Sequence, residues 1–244
     1  MSEVVGAKPL SEAERVVDMF MAPSLTFADI LRSTTWWLPF VLLVVVTTAA
    51  TFTIDREVGF QQVAENQIHL SPKQEEALNS LPPADRATRV AISAKVTKYI
   101  SYASPVLILL FSAIGALVLW GSFNFGLGAR TSFGQMFAVW IYASLPRLLS
   151  GVLEIVTLCF GNNADSFNLK EPVGTNVGYY MADSAPWLRT GLGFLDVIGI
   201  WNMVLLIIGT AVVAKVKMGS AAAVIVGWWL LVLLLSVGAS AAFN

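Results

Sequence analysis

"AVWIYASLPRLLSGVLEIV", Ala138 to Val156, is apolar over a length that fits the hydrocarbon core of a bilayer, yet Pro146 and Arg147 stand side by side at its centre. A membrane-crossing helix needs ~20 predominantly apolar residues, and the run qualifies when it is extended to Met136 and Phe160. Four other runs qualify with it: Trp36 to Ile54, Ser104 to Gly126, Leu192 to Ala214, and Ser220 to Ala242. The third and fourth runs carry ionisable residues that the others lack. Counting both gives an odd number of spans and places the two termini on opposite sides of the membrane.

The composition agrees. Of 244 residues, 56% are hydrophobic and 13% charged, and the mean hydropathy is +0.71. These values lie outside the range of soluble globular domains and place the chain among all-α polytopic membrane bundles. With a net charge of -1 and no basic face, nucleic acid is excluded as a partner. The single cysteine, Cys159, has no second cysteine to pair with, and the single histidine, His69, lies in a polar loop. Neither pattern holds a metal, and nothing in the sequence calls for a cofactor.

Residues 1–35 form a cytoplasmic tail that precedes a membrane domain of residues 36–244. The first apolar run follows several acids and lacks the basic start of a cleaved signal, so it is expected to be a retained span. Ser11-x-x-Glu14 has the spacing of a capping box and opens a short helix that stops before Pro23; Ser24 is positioned to cap a second. Val16, Val17, Phe20, Leu25, Phe27, Ile30 and Leu31 give these helices apolar faces, suited either to the membrane interface or to packing on the bundle. The outside loop, residues 55–103, is expected to be helical, with one helix starting at Pro72 and ending at Pro82-Pro83. Its last segment is expected to run directly into the second span. Lys and Arg in the short connections "GARTSFG" and "KVKMG" favour an N-terminus in the cytoplasm.

Counting from Met136, Arg147 lies about 17 Å along its helix at 1.5 Å per residue, near the middle of a core about 30 Å thick. A cation at that depth needs a protein or water partner. Glu154 follows seven residues later on the same helical face, with Gly151 between them, and Asp196 in the fourth span is expected at a similar depth. The sequence therefore suggests an intramembrane polar network of Arg147, Glu154 and Asp196. Pro146 removes the donor that would reach the Tyr142 carbonyl, so Pro146 and Tyr142 mark a kink. Gly115, Gly121, Gly151 and Gly238 allow close helix packing. Trp36, Trp37, Trp140 and Trp187 suit interfacial belts.

Two functions fit these residues. A structural clamp uses Arg147 to hold spans together. A small transporter or channel uses it as an intramembrane anion-binding residue. An arginine does not shuttle protons near neutral pH, and the polar path continues only towards Glu154. No nucleophile with a local base and no His-Glu metal pattern supports an enzyme.

The phrases "FMAPSLTFADILRSTTWWLPF" (Phe20 to Phe40), "WIYASLP" (Trp140 to Pro146) and "LGFLDVIGIWNMVLLIIG" (Leu192 to Gly209), together with the five-span layout, resemble the Yip family of Ypt/Rab-interacting membrane proteins. The resemblance implies a helical membrane domain with its N-terminus in the cytoplasm. The short tail and long charged first outside loop are similar to the bacterial branch, where no Rab system exists, which implies a bacterial inner membrane and not a trafficking role. It also implies partners among other membrane proteins, either ABC-type exporter components or a second copy of the chain. The expected function is that of a non-enzymatic membrane scaffold or accessory subunit, acting through helix-helix association in the lipid bilayer and supporting an export system or membrane organisation.

Overall fold

The computed structural model describes residues 9–161, 164–181 and 183–243, and these are helical apart from turns and one isolated β-bridge. Five helical segments are long and apolar enough to cross a membrane: Trp37–Glu57, Ser104–Gly126, Phe133–Phe160, Val197–Ala214 and Met218–Phe243. The chain packs into two compact units. One comprises Met1–Val44, Val106–Leu148 and Ile200–Trp229; the other comprises Val45–Pro105, Leu149–Gly199 and Leu230–Asn244.

The first unit begins with α1 (Glu12–Met21) and α2 (Pro23–Ile30). At the start of α1 the expected capping box is complete. The Glu14 amide donates to Ser11 Oγ and the Ser11 amide to Glu14 Oε2, at 3.3 and 2.7 Å, satisfying two amides that a helix start leaves free. α2 starts two residues earlier than the Ser24 cap would have it, with Ala22 as its N-cap. Pro23 takes its first position, where a missing N–H and a fixed φ do no harm.

The unit also holds the first residues of α3 (Trp37–Glu57), most of α7 (Ser104–Gly121), α8 (Phe133–Ala143), and much of α11 (Val197–Ala214) and α12 (Met218–Phe243). Buried residues on several sides of α8, Met136 to Ala143, make it the central helix of this unit, as expected of a helix apolar all round. Met19, Phe27 and Ile30 of the tail are buried in the same cluster with Leu205 and Ala221. The tail thus packs on the bundle, while Val17, Met21 and Leu25 on its other faces stay exposed.

Small residues set how closely these helices approach. A Cβ on Gly115 would come 2.4 Å from the Trp140 ring, and one on Gly209 would come 2.7 Å from Phe27 and 2.8 Å from Val139. Trp140 is therefore a packing residue. Trp36 likewise packs edge-on to Phe40 and Phe137, whereas Trp37 is exposed. Gly121 has open space around it and leads into a π-helical turn, Ser122–Gly126. The following connection is closed by Asn124, which receives the Thr131 amide and donates to the Thr131 carbonyl, both at 2.9 Å.

In the second unit, α4 (Phe60–His69), α5 (Pro72–Asn79) and α6 (Pro83–Tyr102) form the helical loop. Gly59, at φ +79°, turns the chain sharply from α3 into α4 in a conformation few other residues adopt. Phe60, Val63, Ala64 and Ile68 of α4 pack with Val90 and Ala94 of α6, and with Leu158 of α9 (Arg147–Phe160) and Phe167. Only Ala103 separates α6 from α7, as Pro105 interrupts the continuous helix that the sequence suggests. α10 (Pro186–Gly193) lies just ahead of α11. Trp187 on it is exposed. Thr190 of α10 hydrogen-bonds Ser240 of α12 at 3.1 Å.

Candidate functional site

The third span is interrupted in its middle. α8 ends at Ala143 and α9 begins at Arg147, with a turn over 144–146. Pro146 has no amide to give the Tyr142 carbonyl, which instead takes the Leu145 amide at 3.1 Å. The Arg147 amide goes to Ser144 at 3.0 Å and not back to Ala143. The Ala143 carbonyl is taken by the Asn202 side chain of α11 at 2.7 Å. The break is thus closed by one neighbouring amide, as a buried carbonyl requires.

Arg147 is exposed at the head of α9, and Glu154, seven residues on, is half-buried. Gly151 between them faces Val46 of α3, where an added Cβ would come 2.5 Å from Cγ1. Asp196 sits immediately before α11. Its Oδ2 accepts the Gly199 amide at 2.6 Å, making it the N-cap of that helix. Asp196 also forms the β-bridge with Asn176. Its other oxygen, Oδ1, is buried without a hydrogen-bond partner among the described residues. Gly238 faces open space.

The most complete polar assembly lies in the tail, where the sequence suggests only scattered charges. Arg15 and Asp29 are both 3% exposed. Arg15 Nη2 lies 2.6 Å and Nε 2.8 Å from Asp29 Oδ2, and its Nη1 donates to Thr35 Oγ1 at 2.7 Å. Thr35 in turn donates to Glu12. The Tyr142 hydroxyl of α8 donates to the other Glu12 oxygen at 3.0 Å. Arg32 pairs with Asp29 from the partly exposed side, and the Thr26 hydroxyl donates to the Arg15 carbonyl at 2.9 Å. α1, α2, the 33–36 connection and α8 are thereby fastened at one place.

Burial by itself pushes the Asp29 carboxyl up, but hydrogen bonds from Arg32 and Arg15 outweigh it and hold the group below its ordinary range. Burial likewise opposes the charge on Arg15, yet its bonds to Asp29 leave the guanidinium more firmly protonated than usual. Each member of the clasp is hydrogen-bonded or ion-paired to another, so the assembly fixes the tail to α8. The sequence does carry a signal for it, because Arg15 is four residues from buried Met19 and Asp29 is next to buried Ile30. A charge on the apolar stripe of a helix needs a buried partner.

Among the described residues no group of three or more His, Cys, Asp or Glu is placed to hold a metal. Residues 17–239 match the family model described as the Yip1 domain. The chain belongs to the Yip1 domain family. The match takes in Asp29, Thr35, Tyr142, Pro146, Arg147, Glu154 and Asp196, and begins just after Glu12 and Arg15. No curated protein and no solved structure matches the chain.

Proposed function

We propose that this Yip1-domain chain is a non-enzymatic scaffold or accessory subunit that works by associating with other membrane helices. The observation that carries the reading is the state of α12. Only 11% of its span is buried inside the chain, against 28 to 44% for the other four. Gly219, Ala223 and Gly227, each four residues from the next, are exposed on it. No side chain lies within 4 Å of a Cβ at either glycine. Small residues at that spacing let two helices approach to backbone distance in lipid. The ordered polar groups described above support the same reading, since each fastens one part of the chain to another. A role beside an exporter, or in the organisation of a bacterial inner membrane, belongs to this reading as its physiological setting.

Purification from native membranes in mild detergent, followed by transfer to lipid discs, tests it. A stoichiometric membrane partner or a homo-oligomer is expected, and Gly227→Leu is expected to dissociate it. A clean monomer in the unaltered chain contradicts the proposal.

The transporter reading is favoured by one observation, the exposure of Arg147 at a helix start in the third span. Arg147→Cys in a Cys159→Ala background decides it. Labelling by a membrane-impermeant thiol reagent would mean an aqueous cavity and support transport. Protection in folded protein would leave the scaffold as the better account.

A further inference from the structure

We infer that α6 presents a second, lipid-facing surface, on which exposed Ile92, Val96, Tyr99 and Ile100 meet the headgroup layer while Arg89 and Lys95 hold anionic phospholipid headgroups. α6 is apolar on two opposite sides. At 100° per residue, Val90 and Ala94 define the side buried against α4. Ile92, Val96 and Tyr99, spaced i, i+4, i+7, lie within roughly 60° of one another on the other side. They are 58, 50 and 65% exposed. A solvated helix face is ordinarily polar, so an apolar face this uncovered marks a contact surface.

The membrane is the contact because its level at this helix is fixed twice. The second span begins at Ser104, two residues after α6 ends. The first span ends at Glu57, and next to that end Asp55 receives Lys98 at 2.8 Å and the Tyr102 hydroxyl at 3.0 Å. Lys98 to Tyr102 therefore stand at the outer boundary of two spans. From there Val96 is about 4.5 Å and Ile92 about 10 Å beyond Tyr99 along the helix. The headgroup layer adds about 5 to 7 Å to each side of the hydrocarbon core, so Tyr99 and Val96 lie within it and Ile92 just past its outer edge, while Arg89, about 15 Å out, reaches back towards it along its aliphatic stem.

The charges agree with a lipid occupant. Lys98 is taken by Asp55 and Arg86 by Glu65. Arg89 and Lys95 are exposed and form no ion pair among the described residues. On the helical wheel they flank the Ile92–Val96–Tyr99 face, one on either side. Apolar and tyrosine side chains between flanking cations are the pattern of interfacial helices.

Spin labels on single cysteines at 92, 96 and 99, in a Cys159→Ser background, test the inference in lipid discs containing phosphatidylglycerol, with Asn79→Cys as an aqueous control. Accessibility to oxygen over a water-soluble nickel chelate is expected to rise in the order 79, 92, 96, 99. Arg89→Gln/Lys95→Gln is expected to weaken retention of phosphatidylglycerol seen by native mass spectrometry by about fivefold per cation removed. Nickel access at all three positions equal to that at 79 would overturn the proposal. So would protection from both reagents, which would mean that protein covers the face, and so would unchanged lipid retention in the folded double variant.

Discussion

The Arg15–Asp29 pair of the tail and the Arg86–Glu65 pair of the helical loop both tie one helix to another, yet they are different kinds of fastening. In the first, both side chains are 3% exposed and the guanidinium and carboxylate have further partners. In the second, both side chains keep about a quarter of their surface in solvent. A buried pair has already lost its hydration, so removing one partner strands a charge. A partly wet pair returns to water when broken. The loop, although far richer in charge, is held instead by its apolar cluster and by Asn66, which donates to the carbonyls of Ala164 and Phe167 at 2.9 Å each. The tail adds a buried ion pair to its own apolar contacts.

The largest effect should therefore come from Asp29→Ala, at about 3 to 5 kcal/mol. It would be read as lower thermal stability in lipid discs and faster tryptic cleavage in the tail. Replacing the pair together, Arg15→Met/Asp29→Leu, should recover most of that loss, because neither buried charge remains and the charges that lose a partner, Glu12 and Arg32, are partly exposed. If the double variant is as damaged as the sum of the singles, the two residues are not coupled and the two fastenings do not differ in kind.

Acidity probes the same pair without mutation. The Asp29 carboxyl is depressed in the fold, so its contribution is complete above the unfolded value of about 3.9 and is lost as pH falls through the lower folded value. Tail protection should be flat from neutral pH to about pH 5 and fall only under stronger acid. A release near pH 6 would show that some other group controls the tail.

Asn66→Leu should cost about 1 to 3 kcal/mol by leaving the buried Phe167 carbonyl short of a donor. Gly115→Ala should lie in the same range, since its Cβ would overlap the Trp140 ring. Thermal unfolding measures both. The smallest effect should be that of Arg86→Ala, at about 1 kcal/mol or less. A loss from Arg86→Ala comparable to that of Asp29→Ala would erase the contrast between the regions.

The all-helical membrane class was legible because a run of some twenty apolar residues has few other solutions, and the Yip1 family resemblance lay in phrases that the family model also spans. The Ser11–Glu14 cap and the helix start at Pro72 were legible for a local reason: their signals lie within three residues of the feature. The clasp was legible only as charges set among apolar residues and not as a pairing, because Arg15 and Asp29 are fourteen residues apart and only the bend at Ala22–Pro23 brings them together. Asp196 shows the converse. As a partner for Arg147 it needs a residue far away in sequence, whereas an Asp just ahead of an apolar helical run is the local signal of a helix cap. The Pro146 break was legible as a break, but not the side chain that closes it, since Asn202 is far away in sequence.

The association reading meets its most direct test on α12. Ala223→Cys in a Cys159→Ser background, oxidised or treated with a short thiol cross-linker in native membranes, should give a discrete adduct, either a dimer of the chain or a complex of defined mass. Gly227→Leu should abolish it. Monomer alone, with the introduced thiol shown to be reactive, would mean that α12 faces only lipid and would contradict the scaffold account.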